Sequence, residues 1–167
     1  MTSYVAPSVP AVGGAITATQ GDILANNWLT IGGAWTPYTP VLTATTTNPT
    51  LGSGGTITGR YMQIGKTVMG WATITFGSSG TNAGSGLYRV TVPATGLAGQ
   101  NFIGDGRLMC AGVATRLQVL AGVSAGVVGL RYYTTAVGGT NQDVTNTTPG
   151  AWTINDSINM SFLYEAV

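Results

Sequence analysis

From Trp35 to the C-terminus, short runs rich in β-branched and aromatic residues alternate with glycine-rich turn signals, and this rhythm restricts the chain more than any other feature of its sequence. The signals are "NPTLGSGG", "GK", "GSSGTNAGSG", "PATGLAGQN", "GVSAG", "VGGTNQ" and "PGAW". The intervals between them accommodate about eight strands. The sequence therefore predicts an all-β domain over residues 34–167, a β-sandwich or jelly roll.

Alternation along the strands assigns their faces. In "TVMGWATITF", Val68, Ala72, Ile74 and Phe76 share one side, and Met69, Trp71, Thr73 and Thr75 take the other. In "GVVGLRYY", Val128, Leu130 and Tyr132 oppose Val127, Arg131 and Tyr133. Apolar bulk on both sides predicts a sheet covered twice. The last strand, "SINMSFLYEAV", alternates more cleanly, with Ile158, Met160, Phe162 and Tyr164 on its core side.

"GRYMQIGKT", residues 59–67, ends in the letters that close a nucleotide-binding P-loop. Five residues separate Gly59 from Gly65 where that loop needs four, and a strand-like run follows where it needs a helix. The stretch instead predicts a hairpin, "TITGRYMQI" out and "TVMGWATITF" back, with Gly65-Lys66 as a two-residue type II′ turn.

The first 33 residues differ in kind. Residues 1–15 form an extended arm, with Pro7, Pro10 and Gly13-Gly14, that needs a partner surface to become ordered. In "ITATQGDILANNWLTIGG", Thr17 and Gln20 have capping-box spacing, and Ile23, Leu24, Asn27 and Trp28 lie on one face of a short helix that Gly32-Gly33 ends. The opening "MTSYVAPSVPAVGG" has neither a positive charge nor a long apolar block, so no secretory signal is expected. The apolar stretch 117–130 is too short to span a bilayer and suits two strands and a turn, so a soluble protein with no membrane partner is expected.

Composition narrows the chemistry. Of 167 residues only 7% are charged, with a net charge of +1. Arg60, Arg89, Arg107, Arg116 and Arg131 are scattered singly, which argues against nucleic acid as a partner. A hydrophobic fraction of 44% argues against disorder. So little charge instead suggests that identical chains cover much of one another's surface, as in obligate interfaces.

Histidine is absent, and the only cysteine, Cys110, sits in the apolar run "RLMCAGV", where a small buried core residue is expected. No disulfide or Cys/His zinc site can form within one chain. Each acidic residue has an ordinary expected place: Asp22 in the first turn of the helix, Asp105 in a turn between glycines, Asp143 in a loop, and Asp156 starting the final strand that holds Glu165. No D-x-D-x-D run offers a calcium loop. No catalytic residue, cofactor or metal ligand is expected, and no enzyme activity. "NTT" and "NMS" match glycosylation sequons, without consequence in the absence of a secretory signal. Tyr4, Trp28, Trp35, Tyr38, Tyr132, Tyr133 and Trp152 are candidates for stacking on sugars, and equally for core or interface anchors.

Five elements occur in a telling order: "YTP", the loop "TNPTLGSGG", the hairpin "GRYMQIGKTV", the strand "GSGLYRVTVP" and the closing "WTINDSINMSFLYE". Together they cover most of residues 35–167, and the set resembles a recurring module in virion proteins of tailed bacteriophages, especially those that infect actinobacteria. The resemblance implies a trimeric β-sandwich found in minor tail proteins, tail fibres and head-decorating proteins, with no catalytic residues to carry over. Where that family often carries long fibre or collagen-like segments, this chain has a short arm and one helix, which suits a compact knob docked on the particle. The expected role is a structural protein on the virion surface, bound to capsid or tail proteins through residues 1–33. The alternative is a receptor-binding adhesin whose exposed Trp and Tyr side chains grip host-surface glycans.

Overall fold

A computed structural model describes residues 14–33, 35–98, 103–124, 126–134 and 140–167. Residues 1–13, and with them most of the expected arm and Tyr4, lie outside the described residues. The described chain comprises one helix, α1 (Ala18–Ile31), and ten strands. These are β1 (Thr36–Tyr38), β2 (Leu42–Ala44), β3 (Thr56–Ile64), β4 (Thr67–Thr75), β5 (Tyr88–Thr91), β6 (Gly104–Cys110), β7 (Val113–Ser124), β8 (Val127–Tyr133), β9 (Asn141–Asp143) and β10 (Ser157–Glu165).

The all-β expectation with one short helix holds. The strand count rises from about eight to ten because β1, β2 and β9 have three residues each, too short to show a period of two. All pairings are antiparallel and run in one path, β1-β3-β4-β10-β6-β7-β8-β5-β2, with β9 also on β8. β1 and β2, at opposite ends of this path, are joined through only Thr39, buried Pro40 and Val41, so the sheet is curled back on itself. Its two layers are halves of a single sandwich-like sheet.

The hairpin at residues 56–75 forms as expected. Ile64 pairs with Thr67, leaving Gly65-Lys66 as the loop, and Gly65 has φ 58°. Lys66 keeps a negative φ, as a type II′ turn requires.

The core lies inside the curl. Val68, Ala72, Ile74 and Phe76 meet Ile158, Met160, Phe162 and Tyr164 from β10, Leu117 and Val119 from β7, Val128, Leu130 and Tyr132 from β8, and Tyr88 and Val90 from β5. Tyr38 packs edge-on against Tyr61 and Phe162, and Trp152 lies against Phe76 and Tyr88. The inner faces are those the alternation assigned. The expectation of a sheet covered twice is not met within one chain: Met69, Trp71, Thr73 and Thr75 face outward, and no second layer from the described residues lies over them.

Two sequence expectations are corrected by β6 and β9. Asp105 is not in a turn but within β6, where it pairs with Gln118. Its flanking glycines serve a close approach of backbone: a Cβ at Gly104 would stand 2.0 Å from the Ser161 carbonyl oxygen, and one at Gly106 2.0 Å from that of Asn159. Asp143 is not in a loop but in β9, opposite Arg131.

Candidate interaction surface

α1 begins with the expected capping box. The Gln20 amide N–H donates to Thr17 Oγ1 at 3.2 Å and the Thr17 N–H donates to Gln20 Oε1 at 2.9 Å. Asp22 is not in the first turn as expected: counted from the Thr17 cap it is the fifth helical residue, in the second turn. Asn27 is buried, whereas Leu24 and Ile31 are exposed, Trp28 is 73% exposed and Leu29 68%. Among the described residues no strand packs broadly on α1. A lone helix of 14 residues is marginal in water unless an apolar side is covered.

The outer face of the sheet divides into two halves. Cross-strand register places Met62 opposite Met69 and Met69 opposite Leu163, forming one apolar row across β3, β4 and β10. Trp71 projects from the same face of β4, opposite Arg60 on β3 and Ser161 on β10. Below it runs a hydroxyl and amide row, Thr58, Thr73 and Asn159, tied by a 3.0 Å hydrogen bond from Thr73 Oγ1 to Asn159 Oδ1.

The other half, on β6 to β9, is charged. Arg107 stands opposite Arg116, a like-charge pair that is unfavourable alone, and Asp105 relieves it from 3.5 Å on Arg116. Asp105 also accepts from Ser161 Oγ at 3.1 Å. Arg131 Nε donates to Asp143 at 2.7 Å. Both pairs are partly exposed, so each contributes about 0–1 kcal/mol. Between them, Gly104, Asp105, Arg116, Gln118 and Tyr133 line a cleft of about 270 Å³, where the Gln118 amide donates to the Tyr133 hydroxyl. A second cleft of about 470 Å³ lies beside Trp71 and Arg60, bordered by Tyr38 and Thr58. Among the described residues the buried Tyr38 hydroxyl has no hydrogen-bond partner, and burial, with Tyr164 nearby, raises its pKa far above the ordinary phenol value.

The remaining candidates are structural. Cys110 is buried, and its thiol, pushed up to about 11 by burial and by the neighbouring Asp156 carboxylate, donates to the Gly150 carbonyl oxygen at 3.3 Å. A thiol so held carries little thiolate at neutral pH. Asp156 precedes the last strand as expected, but its larger task was not legible. Its buried carboxylate accepts from the Thr153 N–H at 2.6 Å and from the Ala111 N–H at 3.1 Å, pinning the β6–β7 turn, where Ala111 has φ 50°.

Of the candidate aromatics, Tyr132 and Trp152 are core residues, and Trp152 Nε1 donates to the Thr145 carbonyl oxygen at 2.8 Å. Trp28, Trp35 and Tyr133 are exposed. Among the described residues no group of three or more His, Cys, Asp or Glu is placed to hold a metal ion, and no helix is long and apolar enough to cross a membrane. Comparison with family models, with curated proteins and with solved structures returned no match.

Proposed function

We propose that this chain is a structural protein on the outer surface of a tailed-phage virion, in which residues 34–167 form an oligomeric, trimeric sandwich and residues 1–33 attach it to the capsid or tail. The observation that carries this reading is α1: a capped helix that offers Leu24, Trp28, Leu29 and Ile31 outward and has no broad contact with the β domain. Ordering such a segment becomes favourable when its apolar side is laid on a partner. The ordered motifs of residues 35–167 support the phage context by resemblance, and the scarcity of charge supports association between copies. The role needs no catalytic residue, cofactor or metal.

Deleting residues 1–33 tests the reading. The truncated chain is expected to keep the β-type circular dichroism of the full chain and to be lost from purified particles. A truncated chain that incorporates at the full level would overturn the attachment role.

A second reading, a glycan-binding module, is favoured by one feature: the cleft where a carboxylate, a guanidinium and an amide surround the exposed Tyr133 ring. Planar polar groups beside an aromatic ring suit a sugar with a polar rim and an apolar face. Binding on a glycan array that disappears in Tyr133→Ala would establish it, and a flat array at high protein concentration would remove it.

A further inference from the structure

We infer that the cleft where one edge of β8 passes from β5 to β9 is a binding site for a small carboxylate, held between the guanidinium groups of Arg89 and Arg131. The site goes beyond the structural role proposed above and depends neither on attachment nor on oligomerisation. On the edge of β8 away from β7, Val127, Val128 and Gly129 pair with β5, and Arg131, Tyr132 and Tyr133 pair with β9, so the two partner strands part at Leu130. The parting leaves a cleft of about 200 Å³, with Leu87, Arg89, Gly129, Arg131 and Asp143 in its lining. Arg89 stands opposite Gly129, and Arg131 is two residues along β8 on the same face. Diagonal neighbours of this kind are about 7–8 Å apart, within reach of two long side chains closing on one anion. Gly129 puts no side chain between them.

Three observations set the chemistry of the occupant. Arg89 Nε is buried with no hydrogen-bond partner, and among the described residues no carboxylate lies within ion-pair distance of Arg89. An unmet buried N–H on a charged group is costly, and Asp143 does not relieve it, since its carboxylate accepts from Arg131 Nε at 2.7 Å. The edge of a guanidinium, Nε with one Nη, matches the two oxygens of a carboxylate. A turn of the end of the Arg89 side chain toward the cleft presents that edge. The second observation is charge: two guanidinium groups less one carboxylate leave the lining with one positive charge in excess, which a carboxylate neutralises. Phosphate, partly dianionic at neutral pH, exceeds that charge and meets Asp143 as a like charge. The third is size. A cleft of about 200 Å³ is below the roughly 300–1,000 Å³ of sites for drug-sized ligands, so it takes a carboxylate with a few carbons, which Leu87 meets at the rim with 40% of its surface exposed.

The test follows the arginine Nε–H signals of the full, isotope-labelled chain by NMR during titration with propionate. Propionamide serves as the uncharged control and inorganic phosphate as the competing anion. Propionate is expected to shift the Arg89 and Arg131 signals along one saturable curve, with half-saturation in the millimolar range of so small a ligand, while Arg60 and Arg116 do not saturate and propionamide moves none of them. Arg89→Lys keeps the charge but not the fork, and is expected to raise the half-saturation point, read on Arg131, at least about tenfold with its amide spectrum otherwise that of the parent. Asp143→Asn removes the like charge and is expected to bring phosphate up to the affinity of propionate. The absence of a saturable shift at Arg89, or equal shifts at Arg60 and Arg116, overturns the site, and the parent titration decides this even if a variant fails to fold. Phosphate binding the parent more tightly than propionate overturns the carboxylate assignment, as does a phosphate affinity unchanged in Asp143→Asn. Arg89→Lys binding propionate as the parent does overturns the part given to the Arg89 fork.

Discussion

α1 and β10 carry comparable apolar side chains and meet opposite fates. Ile158, Met160, Phe162 and Tyr164 on β10 are buried inside the curl, whereas Leu24, Trp28, Leu29 and Ile31 on α1 stay exposed. The difference is not one of residue type. β10 lies between β4 and β6, so one whole face is enclosed by neighbours of its own chain. α1 precedes the sheet in sequence and has no strand laid broadly across it. What this teaches is that enclosure by neighbouring strands, not residue type, decides burial here: one set of apolar residues holds the fold together, and the other stays uncovered by the described β domain. Leu163 and Trp71, on the outer face of the sheet, are likewise exposed.

The contrast can be broken by stability measurements. The largest effect is expected from Phe162→Ala, which empties a position walled by Tyr38 and Tyr164 and is expected to cost about 3–5 kcal/mol in urea unfolding. Asp156→Ala comes next. It strips the N–H groups of Thr153 and Ala111 of their charged acceptor, at roughly 1.5–3 kcal/mol for a hydrogen bond to a charged group, and a variant as stable as the parent would show that the turn does not depend on that carboxylate.

A smaller loss is expected with pH. The Cys110 thiol titrates at about 11 in the folded chain against 9.0 for the ordinary group, so above pH 9.0 the unfolded chain gives up its proton first. Since stability falls with pH wherever the folded state binds more protons, the protein is expected to lose stability between about pH 9 and pH 11. Cys110→Ala should flatten that part of the profile, and an unchanged slope would assign the loss to other groups. The smallest effect is expected on α1, where Trp28→Ala should change urea unfolding by less than about 0.5 kcal/mol while weakening attachment to particles. A cost for Trp28→Ala equal to that of Phe162→Ala would erase the distinction between the two regions.

The alternation in "TVMGWATITF" and "SINMSFLYEAV" suffices to assign inner and outer faces, because side-chain direction in a strand follows residue parity and nothing else. The Gly65-Lys66 turn and the Thr17/Gln20 capping box are equally legible, being interactions over two or three residues. The candidate surface was only half legible. Trp71 and Met69 could be placed outward, but the row they form with Met62 and Leu163 requires the register between strands far apart in sequence. "IGDGR" misled for a related reason: glycine beside aspartate is the mark of a turn, and only the passage of β10 across Gly104 and Gly106 gives those glycines another purpose.

By itself, then, the sequence determined the local grammar of this protein: strands and their faces, the hairpin, the capped helix, and a chain poor in charge. Tertiary structure alone decided that the strands close into one curled sheet, that Asp105 and Asp143 end beside Arg116 and Arg131, and that Asp156 is buried where it holds the β6–β7 turn. The physical reason is range. Parity, turn geometry and capping act between residues a few positions apart, whereas pairing and burial depend on which distant segments the closing sheet brings together.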